Sequence, residues 1–329
     1  MKIGLTYDLK NVYLENGYAE DEVAEFDSEE TIEGLEKALH ELGHSTERIG
    51  HIKQLTEALV NGARWDLVFN ICEGLHGIGR EAQVPALLDA YGVPFTFSDP
   101  LVLSLTLHKG MTKRVIRDAG IPTAPFHLIE NVDEIANCPL PFPVFIKPVA
   151  EGSGKGISAK SVVYDSETFV HESKALLMTY RQPVLVEKLL TGREFTVGIL
   201  GTGKKARIAG VMEVTIRKEA EEQTYSRFIK ENYHGRVDYQ LVEGETRSVC
   251  ERVSLDAWRV LGCRDAGRID LKMDENGIPN FIEINPLAGI NHIHSDLPIM
   301  MYMQGWSFKQ LVGEIIQSAS ERIHSKDKK

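Results

Sequence analysis

The segment 265–285, DAGRIDLKMDENGIPNFIEIN, constrains this chain more than any other. It reads as two short strands around Asn276-Gly277, a dipeptide suited to a two-residue type I′ loop because both turn residues need positive φ. Pairing outward from that turn sets Asp270 opposite Glu283 and Arg268 opposite Asn285. Side chains alternate across a strand, so these four polar groups share one face. Ile269, Leu271, Met273, Ile282 and Ile284 form the other face, suited to a core. Two carboxylates facing each other repel, so the register asks for a cation between them. A hard divalent ion satisfies Asp, Glu and Asn oxygens together, and Mg²⁺ commonly binds through one or two carboxylates plus substrate phosphates. The alternative is a solvated hairpin with scattered charge, although such a face rarely places Arg, Asp, Glu and Asn in register.

A length of 329 residues suggests two domains, or three small ones. The composition, 43% hydrophobic and 26% charged, is globular, and no stretch is apolar for long enough to span a membrane. The opening MKIGLTYD reads as a first strand and not as a signal peptide. A net charge of −11 argues against a nucleic-acid partner. Small anionic substrates stay open if lysines and arginines line one cleft. Cys72, Cys138, Cys250 and Cys263 are too dispersed for a C-x-x-C site or a disulfide framework. They point to reduced thiols in a cytoplasmic enzyme.

Strands are expected at 2–7, 46–49, 66–71 and 93–97, alternating with helices at 28–42, 52–60 and 80–91. That alternation predicts a parallel sheet with helices on both faces, and ligands at the carboxyl ends of its strands. Between the first strand and the first helix, 8–27 reads as a long acidic loop. Helix is expected over 98–120, strands at 144–147, 183–187 and 194–200, and helices at 250–261 and 308–323. Residues 217–247 are polar and without period. The reading divides the chain into 1–97, 98–182 and 183–329.

The run Gly152-Ser153-Gly154-Lys155-Gly156 offers backbone N–H groups with little steric cover, as phosphate cradles do. A structural turn reads equally well, because the run lacks a Walker A ending. Lys147 sharpens the phosphate reading, since a lysine ending an apolar strand is costly unless an anion meets it. Lys109 is a second cation of this kind. Glu187-Lys188-Leu189-Leu190 follows an apolar strand; its backbone could read an adenine edge and Glu194 could hold ribose hydroxyls. Both glutamates also read as ordinary strand-end charges.

With these residues in place, the chain resembles the D-alanine–D-alanine ligase family of ATP-grasp enzymes from about residue 66 to 305. The segments that carry the likeness are HGIGREAQ at 76–83, GVPFTF at 92–97, HKGMTK at 108–113, FPVFIKP at 142–148 and EGSGKG at 151–156. LVEKLLTGREFTVGIL at 185–200 and GRIDLKMDENGIPNFIEINPLAG at 267–289 complete the set. Their order and spacing together are specific, where single segments are not.

The resemblance implies an ATP-grasp fold, with an N-terminal Rossmann-like pre-ATP-grasp domain followed by two α+β subdomains that clamp ATP. It makes Lys109 and Lys147 phosphate-binding lysines, 152–156 a phosphate loop with Ser153 in a catalytic position, and Glu187, Lys188 and Leu190 the adenine hinge. Glu194 becomes the ribose ligand, and Asp270, Glu283 and Asn285 ligands of magnesium or of manganese in its place. Arg268 falls where the family stabilises an oxyanion, and Lys230 where a mobile loop covers the γ-phosphate; the polar stretch 217–239 is accordingly expected to be a lid. His76 and Glu81 fall on the substrate side, although a simple loop histidine is equally acceptable for His76. Gly289 and Ser295 fall where the second substrate's carboxylate is held. The partners implied are small amino-acid or other carboxylate substrates and an amine, with neither nucleic acid nor membrane. A homodimer is compatible with this reading.

The chain also departs from the family. The G-G-x-S-x-E loop after the first strand is replaced by Asp8-Leu9-Lys10-Asn11 and the acidic run, so no glutamate is matched to the first substrate's amino group. Gly154 stands for the second loop serine, Glu231 for a tyrosine after the mobile-loop lysine, and Asn285-Pro286-Leu287-Ala288-Gly289 for N-T-x-P-G. The expected activity is therefore ATP-dependent carboxylate–amine ligation through an acylphosphate. Rival readings are a true D-alanine–D-alanine ligase and a nucleotide-binding regulator without catalysis. Lys10 beside the first-substrate position favours a substrate with an additional negative group, or one lacking a free α-amine.

Overall fold

The computed structural model describes residues 1–217 and 235–326. Strands β1 (Lys2–Tyr7), β2 (Ser45–Gly50) and β3 (Leu67–Ile71) form a parallel sheet in the order β2-β1-β3. All five residues of β3 are buried, as a strand covered on both faces requires. Ile3, Leu5 and Phe69 pack with Leu35 and Leu39 of the helix Glu29–Glu41 and with Leu311 and Ile315 of the helix Phe308–Lys326. Val68 faces the other way, onto Leu55, Leu59 and Leu88. The expected strand at 93–97 is reduced to a single parallel bridge, Val68 to Phe95. The expected loop at 8–27 contains a short helix, Lys10–Glu15.

β4 (Phe126–Ile129), β5 (Val144–Pro148), β6 (Val162–Val163) and β7 (Val184–Lys188) make an antiparallel sheet ordered β4-β7-β5-β6. β7 was expected to open the third segment of the chain. By hydrogen bonding it belongs to this second sheet, between β4 and β5. β8 (Glu194–Leu200), β9 (Arg207–Ile216), β10 (Val237–Leu241), β11 (Ala266–Met273) and β12 (Pro279–Asn285) form an antiparallel sheet ordered β10-β9-β8-β11-β12. Trp258 and Ala257 of the helix Gly244–Leu261 fill its core with Phe195, Ile269 and Phe281. That helix begins earlier than sequence periodicity indicates.

β11 and β12 pair with Asp270 opposite Glu283 and Arg268 opposite Asn285. The turn that produces this register is not the expected one. Asp274 N donates to Ile278 O at 3.0 Å and Gly277 N to Asp274 O at 3.1 Å, which closes a three-residue loop. Gly277 has φ 75°, and Asn276 is not among the residues of positive φ, so this is a type I turn ending in a left-handed glycine. A loop one residue longer slips the pairing by one, so that Leu271 faces Phe281. A bulge at Ile282 then restores Asp270 to Glu283. The bulge exchanges two side chains: Phe281 is fully buried in the core, whereas Ile282, expected there, lines the cleft instead.

Candidate functional site

The helix Lys109–Asp118 carries Lys109 and Lys113 one turn apart on a buried face. β5 brings Lys147 and β7 brings Glu187 to the same point. Glu187 lies 2.6 Å from Lys113 Nζ and 3.1 Å from Lys147 Nζ, and all three side chains are almost wholly buried. Burial pushes the Glu187 carboxyl up, but the two ammonium groups outweigh it and hold its pKa below the usual range. Burial likewise opposes the charge on Lys147, and Glu187 and Glu283 reverse the effect and raise its pKa. Lys109 differs: burial holds it below the usual lysine value, and its anionic neighbour Glu283 is 3.7 Å away. An additional anion at Lys109 would restore the balance.

Glu283 Oε2 is also 3.7 Å from Lys147 Nζ, which places it between the two lysines. Asp270 is held by Arg268 at 2.6 and 2.9 Å and accepts from Thr196 Oγ1 at 2.9 Å. The two carboxylates face each other in register with Asn285 on the same face, a set of hard oxygen donors that fits a divalent cation. Among the described residues no three His, Cys, Asp or Glu side chains make a metal cage. A cation here would therefore complete its shell with phosphate oxygens.

A cavity of about 660 Å³ lies between β5–β7 and β11–β12. Lys147, Lys188, Leu190 and Glu194 line it together with Phe145, Tyr164 and Ile282. Glu187 lines it too, but its carboxylate is engaged by lysines, which leaves only backbone at that position for an adenine. Lys188 pairs with Glu275 at 2.7 Å and Glu194 with Lys272 at 2.9 Å.

A second cavity of about 660 Å³ shares Lys109, Glu151 and Glu283 with the first. The glycine-rich run 152–156 lies between them, with Gly152 and Ser153 on one side and Gly154 and Lys155 on the other. Gly156, at φ 73°, ends the run packed on Pro148. Glu151 anchors the loop through Lys155 at 2.7 Å and Gln182 at 2.6 Å, and its carbonyl accepts from Lys109 Nζ. A Cβ at Gly152 would displace the Glu25 carboxylate of the acidic loop, which packs against it. Arg80 holds that glutamate at 2.7 Å and donates to Ala150 O at 2.9 Å.

In the second cavity Arg268 meets Asp296 at 3.4 Å, and Gly289 lies against Ser295, whose Oγ accepts from Asn291 N at 3.1 Å. Glu81, expected on the substrate side, lines this cavity; His76 is exposed and lines neither. Lys230 and most of the expected lid lie outside the described residues. Sequence reasoning missed Lys113, Glu25, Asp27, Glu73, Arg80 and Asp296. Only Lys113 left a signal, its spacing of four from Lys109.

The expectation about the first substrate rested on Asp8 and Lys10. Asp8 is turned away, accepting from Tyr13 OH at 2.7 Å and Gly74 N at 2.9 Å. Lys10 is neutralised by Glu20 at 2.9 Å. Carboxylates are nonetheless abundant, with Glu25, Asp27, Glu73 and Glu81 all on the cavity wall. Acidic groups outnumber Lys10, Lys109 and Arg268 on this wall among the described residues.

The chain is similar to known ligases in sequence and in fold. A D-alanine–D-alanine ligase of Methylacidiphilum infernorum is 32% identical over 288 residues, covering 87% of this chain and 88% of that one. The protein y4sG of Sinorhizobium fredii, described as uncharacterised, is 30% identical over 294 residues, covering 87% and 86%. Among solved structures, the Bacillus anthracis D-alanine–D-alanine ligase complexed with ATP superposes with a TM-score of 0.75 over 99% of each chain at 19% identity, a likeness of ATP-grasp fold. The family model described as D-ala D-ala ligase C-terminus matches residues 115–317, the span that carries Lys147, the phosphate loop and the β11–β12 hairpin, and on that match the chain belongs to the D-alanine–D-alanine ligase family.

Proposed function

We propose that the protein is an ATP-dependent carboxylate–amine ligase working through an acylphosphate. The observation that carries this reading is the junction at Lys109, Glu151 and Glu283, where a lysine-rich cavity opens onto one sized for small-molecule substrates. ATP, as a substrate, has its adenine near Lys188 and Leu190, its ribose at Glu194 and its phosphates at Lys109 and Lys147. Gly152 and Ser153 present backbone donors where the γ-phosphate faces the second cavity. Asp270, Glu283 and Asn285 would hold magnesium, with manganese as substitute; when bound, the ion would neutralise charge on the phosphate oxygens.

A carboxylate oxygen of the first substrate attacks the γ-phosphorus, and the bond to ADP breaks. The amine then attacks the acyl carbon and phosphate leaves, taking up the amine proton. Arg268, steadied by Asp270 and Asp296, points its guanidinium into the cavity where an oxyanion develops. One such preorganised donor contributes roughly 10²–10³-fold in rate. The four free cysteines suit a reducing, cytoplasmic setting. Among the described residues no helix is long and apolar enough to cross a membrane.

Identity to ligases named for D-alanine favours a second reading, in which D-alanine is both substrates. The intact set Arg268, Asp270, Glu283 and Asn285 disfavours a regulator without catalysis. The test is ADP release across a panel of amino acids, dipeptides and other carboxylates, with product identification. ADP at background with every pair would overturn the ligase reading.

A further inference from the structure

We propose that the carboxylate substrate is a diamino acid, bound with its two ammonium groups against the wall formed by Asp27, Glu73 and Glu81. The proposal rests on the ligase reading and names the substrate class of that same site.

The wall is assembled from the loops after β1 and β3 and the short turn Arg80–Ala82. Glu81 carries the inference. It is only 9% exposed, lines the cavity, and makes no hydrogen bond or ion pair within the described residues. Its carboxyl keeps contact only with the water of the cavity, so a cation arriving there meets an acid already stripped of much of its solvent. The nearby cations are engaged elsewhere. Arg80 is held by Glu25, Lys10 by Glu20, and Lys109 by the Glu151 carbonyl. Glu73 and Asp27 likewise have no cation within ion-pairing distance among the described residues.

Burial and mutual repulsion keep these acids reluctant to ionise. Burial, with Glu81 and Glu25 adding, pushes Glu73 well above the usual range. Burial pushes Glu81 up to about 7 and Asp27 up to about 7. Such a wall carries its full charge when cations arrive to share it. A metal ion is a poor candidate, since no three of these carboxylates converge as ligands of one ion. Separate ammonium groups on one flexible molecule fit the spread-out acids better. A single ammonium would meet only part of the wall. Asp296, beside Arg268 at the other end, adds a further negative charge and no site for an anionic side chain.

The test uses the full chain with Mg²⁺. ADP release is measured with the D and L forms of 2,3-diaminopropionate, 2,4-diaminobutyrate, alanine and glutamate, each with a panel of amines. The expected result is that a diamino acid exceeds alanine in kcat/KM by at least about 100-fold, as sites built around a substrate's polar group discriminate against analogues that lack it. Glu81→Gln should erase at least about tenfold of that preference through KM, with the KM for ATP unchanged. Alanine or glutamate performing as well, or Glu81→Gln weakening alanine and diamino acid equally, would overturn the proposal. Calorimetric binding of 2,3-diaminopropionate and alanine to the wild-type protein, with a non-hydrolysable ATP analogue, separates this proposal from the ligase reading. If no amino acid yields ADP, the ligase reading fails and binding decides: tighter diaminopropionate binding supports the acidic wall, and equal or weaker binding overturns it.

Discussion

The two cavities have about the same volume and share three residues, yet their electrostatics are opposite. On the nucleotide side every buried charge has a counter-charge: Glu187 sits between Lys113 and Lys147, and Asp270 is clasped by Arg268. On the substrate side Glu73, Glu81 and Asp27 make no ion pair among the described residues, although Arg80 and Lys109 stand near enough to Glu81 to oppose its shift. Lys109 is the exception to that balance, held by burial below the usual lysine value with Glu283 3.7 Å away. A site that selects among carboxylates and amines must keep its imbalance for the chosen substrate. Four measurements press on this contrast.

The largest effect is expected at the junction. Glu283→Gln keeps the side chain's shape and removes the charge set between Lys109 and Lys147. ATP turnover should fall at least about 10³-fold, with an unchanged circular-dichroism spectrum. Wild-type-like ADP release would remove Glu283 from the phosphate site.

Next, Lys113→Met tests the balanced network. Its ammonium, fully buried, bonds Glu187 at 2.6 Å and Phe281 O at 3.2 Å. Removing it should cost about 3 kcal/mol in denaturant unfolding, the low end for a broken buried pair because Lys147 stays on Glu187. An unaltered midpoint would mean that Lys147 alone suffices.

On the substrate side D-alanine should be poor, by at least about 100-fold in kcat/KM against the best carboxylate. The reason is a wall with more carboxylates than one ammonium can satisfy. Coupled ADP release with product identification checks it. Efficient D-alanyl-D-alanine synthesis would return the protein to the reading its relatives' names suggest.

The smallest effect is in pH. Burial pushes Glu81 up to about 7 from 4.5, with Glu25 adding and Arg80 and Lys109 opposing. The folded protein thus binds more protons here than the unfolded chain between those values, so this contribution to stability is present at low pH and lost as pH rises through about 7. Without substrate, raising pH from 6 to 8 should lower the wild-type Tm more than that of Glu81→Gln, a difference worth about 1–2 kcal/mol. Parallel pH profiles would place Glu81 in a solvated setting.

Legibility followed the same divide. That Lys147, the run 152–156, Glu194 and the hairpin would face one cleft was readable because each lies within one short segment whose strand or turn fixes its direction. The hairpin register came out right although its turn was misread, since the three-residue loop and the bulge at Ile282 cancel. That cancellation is invisible in a period-two pattern, and Ile282 and Phe281 were accordingly exchanged between cleft and core. β4, β9 and β10 were not read from the sequence, and of these only β10 falls in the polar stretch 217–247.

The sequence by itself determined which chemistry the chain can support. Residue types at fixed local spacings dictate which face of a strand or turn carries Lys147, Glu194, Asp270 and Glu283, and local backbone geometry delivers them. Only the tertiary structure decided which charges stay unbalanced. Glu25 meets Arg80 across 55 positions, and Lys113 reaches the Phe281 carbonyl across 168. Whether a buried carboxylate gains a partner or stands alone depends on such long-range encounters, because the cost of burying charge is set by every neighbour within a few ångströms and not by the order of residues along the chain.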